Sequence, residues 1–236
     1  MPNTISKSLY IFIGSWIIPL ILLNTGCYPQ RTHVSEKKAS LPKVRKMVVV
    51  GFRPVKSPGD EPGMIRGPLS GTIFMAEPVP QDVDKKMTEN LFDRLLKDKS
   101  YDLISPGQAK GVFSSLVSSD LALGEIEIFQ KIGKAFSSDV VLIGYIYRWR
   151  EREGTDYAID RPASVAFDLY LIRSDNGAVL WKGRFDKTQR SLTENILDME
   201  TFLKSKGKWL NAETLMELGL VDLLEELPKG TKTQED

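Results

Sequence analysis

From residue 46 to about residue 228, short β-branched runs alternate with stretches of four-residue apolar period. In Lys46–Phe52 (KMVVVGF) a short β-branched run leads into Gly51, consistent with a buried first strand. From about Gln81 to Asp98, Val83, Met87, Leu91 and Leu95 recur at every fourth position. Phe92 and Leu96 widen that stripe, which predicts an amphipathic helix. Asp82 and Asp84 in its first turn and Lys97 and Lys99 near its end suit the helix dipole. Tyr101–Ile104 reads as a short strand. Ser105-Pro106 then supplies an N-cap with proline at the first helical position, opening a helix to about Val117. Glu125–Phe136 predicts a third helix, with Ile128, Ile132 and Phe136 on its apolar face. Val140–Trp149 (VVLIGYIYRW) is apolar on both faces at first, the mark of a central strand. Ala163–Arg173 alternates Val165, Phe167, Leu169 and Leu171 on one face, and Asp175-Asn176-Gly177 turns it tightly into a returning strand, Ala178–Asp186. A last helix runs from about Ala212 to Leu227.

Strand, helix, strand, two helices, then a strand followed by a hairpin imply an α/β (α+β) fold. A mixed sheet would carry the helices, in one domain over 46–228 with a C-terminal helical segment. Residues 229–236 read as a polar, disordered tail. One stretch breaks the pattern: Arg53–Pro80 holds six prolines and four glycines among its residues. A loop of that length in a compact domain generally has a task.

The N-terminus has its own pattern. Lys7 is the only charge before an apolar run from Leu9 to Leu23, roughly 15 residues and short of the ~20 that a spanning helix needs. Asn24-Thr25-Gly26-Cys27 follows and resembles a lipobox, in which a cysteine after small residues is acylated and becomes the first residue after cleavage. Asn24 departs from the leucine usual at its position, and the competing reading is an uncleaved membrane anchor. Residues 1–27 are accordingly expected to be a lipoprotein signal peptide ending at the lipidated Cys27. Residues 28–45 are polar, hold two prolines and show no apolar period, and so predict a flexible tether. Tyr28, in place of the aspartate linked with inner-membrane retention, points to the outer membrane.

Composition narrows the chemistry. The chain has 236 residues, 32 basic and 31 acidic, so removal of Lys7 with the signal leaves 31 of each. That balance gives no reason to expect nucleic acid as a partner. One cysteine and one histidine exclude an internal disulfide and leave a metal site or a histidine-based catalytic pair nearly without material, so no metal or other cofactor is expected.

Three segments carry a family resemblance. LFDRLLKDKSYDLISPGQAKGVFSSL ends a helix, makes a strand and begins a helix. KIGKAFSSDVVLIGYIYRW passes from a helix through a small-residue–Asp turn into a glycine-containing strand. LYLIRSDNGAVLWKG joins two strands by an acid-Asn-Gly turn. Together, over Lys46–Phe185, they resemble the lipoprotein superfamily of the curli secretion channel subunit (CsgG), the LpoB-type activators of peptidoglycan synthases and the N-terminal domain of TolB. Residues 150–195 (REREGTDYAIDRPASVAFDLYLIRSDNGAVLWKGRFDKTQRSLTEN) also look like a family of uncharacterised Gram-negative lipoproteins. The resemblance implies an envelope protein without a catalytic signature. The channel subunit builds its pore from long amphipathic hairpins; the segment from Arg150 to Pro162 is short and charged, and supplies no pair of ~10-residue lipid-facing strands.

The candidate sites follow. Met64, Ile65, Leu69, Ile73, Phe74 and Met75 make the Arg53–Pro80 loop more apolar than solvent requires. They form either a partner-binding or ring-forming surface, as the matching loop of the resembling channel lines its constriction, or a flap over the domain's own core. Arg148, Arg150 and Arg152 alternate with Glu151 and Glu153, giving either an anion-binding face or ordinary surface ion pairs. Asp186, Gln189, Glu194 and Asn195 are polar neighbours, but Ser191 with Glu194 matches a capping box. Trp149, Trp181 and Trp209 are either sugar-stacking rings or core. The function these features favour is a non-catalytic binding or assembly factor, membrane-held by lipid on the periplasmic face, with an envelope protein or a second copy of itself as partner. A subunit of an envelope export complex is the alternative, and a cell-wall hydrolase comes third.

Overall fold

The computed structural model describes residues 33–37, 44–119, 123–155, 159–189 and 209–230. The proposed lipidation site Cys27, the Ser191–Glu194 capping box and Asn195 lie outside them. In chain order the elements are β1 (His33–Lys37), β2 (Lys46–Pro54), β3 (Gly63–Arg66), β4 (Ile73–Ala76), α1 (Val83–Asp98), β5 (Asp102–Ile104) and α2 (Pro106–Ser119). Then come α3 (Glu125–Ala135), β6 (Val140–Arg150), β7 (Glu153–Gly154), β8 (Ile159–Arg161), β9 (Ser164–Arg173), β10 (Val179–Thr188) and α4 (Ala212–Glu226). Six strands form one mixed sheet in the order β1-β10-β9-β6-β2-β5; β3–β4 and β7–β8 are separate two-stranded ribbons. Among the described residues no helix is long and apolar enough to cross a membrane.

Strand alternation gives the sheet two different faces. On β9, Val165, Phe167, Leu169 and Leu171 join the larger core, together with Met87, Leu91 and Leu95 of α1 and Leu215, Leu220 and Leu223 of α4. On the opposite face, Ala166, Tyr170 and Ile172 pack with Phe129 and Ile132 of α3, Ala109 of α2, and Phe74 of the β3–β4 ribbon. The central strands are therefore covered on both sides, which is why their sequences read as continuous apolar runs.

Local chemistry sets the joints. Ser105 and Gln108 cap α2 reciprocally: the Gln108 N–H donates to Ser105 Oγ (3.4 Å) and the Ser105 N–H to Gln108 Oε1 (3.2 Å). Asp139 is more than a turn residue, since its carboxylate accepts the N–H groups of Arg45 (2.8 Å) and Lys46 (2.9 Å) and so ties the start of β2 to the start of β6. The β9–β10 turn closes as expected, with Gly177 at φ 71° and Asn176 Oδ1 accepting the Ala178 N–H at 3.0 Å.

Two expectations need correction. The stretch 28–45 contains a strand: β1 pairs antiparallel with β10, His33 opposite Phe185 through Lys37 opposite Trp181. An apolar period is not needed there, because the β10 edge offers unpaired N–H and C=O groups that any extended backbone can satisfy. The Arg53–Pro80 stretch is likewise not all loop, since it folds into the β3–β4 hairpin, Gly63 opposite Ala76 through Arg66 opposite Ile73.

Candidate functional site: the β3–β4 hairpin and the polar row beneath it

The hairpin divides the apolar loop residues between two faces. Ile65 and Phe74 face each other across the ribbon and turn inward; Phe74 is buried and Ile65 and Leu69 pack against the smaller core. Met64 and Met75 form the next cross-strand pair and turn outward with Ile73, at 68%, 51% and 56% exposure. One face of the ribbon thus covers the core, as the flap reading expects, and the other is exposed. The turn is held by the Gly67 N–H donating to Thr72 O (2.7 Å) and by Arg66 Nη1 donating to Gly71 O (3.0 Å).

Phe74 seats the hairpin. Its ring stacks on Tyr147 at 3.8 Å between centroids and 9° between planes, and the Arg184 guanidinium lies 4.3 Å from its centroid on β10. The Glu77 N–H, just past β4, donates to Tyr147 O at 2.9 Å, which fastens the ribbon to the end of β6. Stacking and cation–π contacts of this kind contribute about 0.5–1.5 kcal/mol each beyond simple burial.

Under the ring lies a buried polar row. Asp168, fully buried on β9, accepts from Arg184 Nε (3.0 Å), from the Tyr170 hydroxyl (2.7 Å) and at longer range from the Tyr147 hydroxyl (3.4 Å). Burial pushes the Asp168 carboxyl above the usual carboxylate range, and Arg184 and the Tyr170 hydroxyl pull against that. Burial also raises the Tyr147 and Tyr170 hydroxyls, so both stay protonated as donors. Arg184 Nη2 is buried without a hydrogen-bond partner; the guanidinium pairs with Asp168 through Nε and lies against the face of Phe74.

The arginines at the end of β6 are turned to internal work. A bulge between Ile146 and Arg148 interrupts the alternation. Arg148 is buried, donates through Nε to Ser164 Oγ (2.6 Å) and pairs with Asp186. Arg150 pairs with Glu77 at 3.2 Å, and Arg152 donates to Trp209 O at 2.6 Å. Glu151 accepts from Trp149 Nε1 (3.0 Å) and from the Ala212 N–H at the start of α4 (3.2 Å), while Gln189 accepts the Leu210 N–H (2.6 Å). Glu151, Arg152 and Gln189 tie the strand end to the start of the last helix, and Arg148 and Arg150 form ion pairs with Asp186 and Glu77, the second of the two readings of this cluster. Trp149 and Trp181 belong to the larger core.

Sequence reasoning missed Asp168, Tyr170 and Arg184. The available signal was an aspartate within an apolar strand, FDLYL; its partner could not be counted from the tight turn, because a bulge between Val179 and Trp181 shifts the register by one and brings Arg184 opposite Asp168 in place of Gly183.

No protein-family model and no curated protein matches this chain. Among solved structures it is similar to the PelC dodecamer from Paraburkholderia phytofirmans, at 14% identity over 85% of this chain and 99% of that one, with a TM-score of 0.48. It is also similar to the LpoB C-terminal domain from Salmonella enterica, at 14% identity over 64% of this chain and 87% of that one, TM-score 0.39. Lipoprotein GNA1162 from Neisseria meningitidis is similar at 16% identity over 68% of this chain and 96% of that one, TM-score 0.38. The LpoB-type domain is among those that the sequence pattern of residues 46–185 resembles.

Proposed function

We propose that this chain is a non-catalytic binding or assembly protein of the cell envelope, held by lipid on Cys27 at the periplasmic face of the outer membrane, and that it docks through the outer face of the β3–β4 hairpin. The observation that carries the reading is the exposed trio Met64, Ile73 and Met75 on a ribbon whose other face is firmly seated by Phe74. A segment free to collapse would bury these side chains; a ribbon pinned from beneath presents them. The polar groups under the ribbon are engaged with one another, which suits a supporting role and not turnover. The N-terminal signal and the lipobox-like Thr25-Gly26-Cys27 support the placement.

A photo-crosslinking side chain placed at Ile73 in the native membrane tests the docking face. It is expected to capture a neighbour, whether lipid, a second copy or another protein, while the same group at Leu96 on α1 captures none. Equal capture at the two positions, or none at either, would refute the reading.

A further inference from the structure

We infer that the occupant of the hairpin's outer face is the lipid surface beside the anchor; this rests on the docking reading above and names its partner. The argument begins with register. His33 of β1 lies opposite Phe185 of β10, Phe185 opposite Phe167 of β9, and Phe167 opposite Ile146 of β6, next to Tyr147 at the bulge. One row across the sheet therefore joins the start of β1 to the residue just before Tyr147, on which Phe74 stacks. Three strand spacings separate the ends of that row, about 14 Å. His33, the first residue of β1, lies at the same end of the sheet as the hairpin.

Chain length completes the argument. With β1 paired to β10, only the six residues counted back from His33 to Cys27 connect the sheet to the lipid (33 − 27 = 6). Six residues span at most about 20 Å. Were the first strand at Lys46, the tether would be three times as long and the domain could stand clear of the membrane. β1 removes that freedom and keeps the hairpin flank within reach of the bilayer surface.

The size of the face points the same way. Three exposed side chains fall well short of the ~1,000 Å² that a specific protein–protein interface buries. An anchored chain needs no such area, because the lipid already holds the hairpin at high local concentration over the surface. Arg66, exposed and in register with Ile73, adds a cation at the rim where lipid phosphates lie.

The test uses the full lipidated protein in vesicles of phosphatidylethanolamine and phosphatidylglycerol. Cys27 is the only cysteine, so once it is acylated an introduced thiol is the sole labelling site. An environment-sensitive fluorophore on Ile73→Cys is expected to shift to the blue and to lose about half its emission to spin-labelled lipid. The same label on Leu96→Cys, exposed on α1 and carried on the other sheet face, is expected to do neither. A blue-shifted Ile73 label that lipid spin labels leave unquenched, with energy transfer between labelled copies, would assign the face to a second copy. Burial in native membranes but not in pure lipid would assign it to another envelope protein. Either result overturns the lipid inference and leaves the docking reading standing. A water-like emission in both settings overturns both.

Discussion

Phe74→Ala should release the hairpin while leaving the sheet intact. The ring is 6% exposed and lies between Tyr147 and Arg184, so its removal takes away three contributions. Burying a phenylalanine side chain is worth about 1.5–3 kcal/mol. The stack and the cation–π contact add about 0.5–1 kcal/mol each at a partly open site. A closed cavity would raise the cost toward the ~3–5 kcal/mol of core Phe→Ala changes, but the ribbon lies at the surface and water can enter. The sum is about 3 kcal/mol, concentrated in the equilibrium between seated and lifted hairpin. At 1.4 kcal/mol per factor of ten, amides of residues 63–76 should exchange about 100-fold faster by native-state hydrogen exchange. The Gly67 N–H, bonded to Thr72 O, is the most direct reporter. Amides of β6 and β9 should be little changed. Phe74→Leu keeps most of the apolar area and loses the ring contacts, so its effect should be roughly half as large in free energy. Hairpin exchange within threefold of the parent in Phe74→Ala would mean that the ring does not seat the ribbon, and the case for a presented outer face would fall with it.

Four other outcomes are expected. Gly144→Ala should destabilise by about 1–3 kcal/mol in urea unfolding, because a Cβ there would come within 2.4 Å of the Phe52 ring in a fully buried central strand. Arg184→Met should leave Asp168 buried without its cation and push its carboxyl still higher. Since a carboxyl raised in the folded state favours folding while protonated, the variant should be close to the parent below about pH 4 and lose ground as pH rises toward 7, and Asp168→Asn in the same background should remove that slope. The hydrogen bond from Lys229 holds the Asp98 carboxyl below its usual range, so Lys229→Ala should lower stability by no more than about 1 kcal/mol at pH 7. That difference should disappear as pH falls below about 4, through the Asp98 titration. Cys27→Ser should abolish labelling by palmitate and move the protein out of the membrane fraction; label that persists in the variant would overturn the lipid anchor.

The long elements were legible because each buries a face that its period marks. Val83, Met87, Leu91 and Leu95 are the buried residues of α1, and the Asp-Asn-Gly turn marked β9 and β10 as a hairpin, although a bulge between Val179 and Trp181 sets the final register. β1 was illegible for the opposite reason: its pairing is made by backbone groups, and HVSEK carries no apolar alternation to announce it. The hairpin was hidden by composition. In Ile73-Phe74-Met75-Ala76 both faces are apolar, so the period of two that separates inward Phe74 and Ala76 from outward Ile73 and Met75 leaves no contrast in the sequence. The arginine alternation left two readings open because it does not show the bulge between Ile146 and Arg148, nor the partners Asp186, Glu77 and Trp209, all distant in sequence.

The two faces of the sheet divide stability from placement. The α1–α4 face is a predominantly apolar layer that specifies the fold mainly through volume. The opposite face interrupts its apolar packing with Asp168, Tyr170 and Arg184, at a desolvation cost that burial of hydrophobic residues would avoid. What that row provides is direction. Arg184 pairs with Asp168 and is held in place by it, so the Phe74 ring gains both the guanidinium contact and the Tyr147 stack in one position. A hairpin resting on a purely apolar sheet could slide by a residue pair and still bury Ile65 and Phe74. Resting on this row it has one register, and only that register turns Met64, Ile73 and Met75 outward at the end of the sheet where β1 begins. The cost of the buried ion pair is then the cost of holding a small apolar face in one position relative to the anchor.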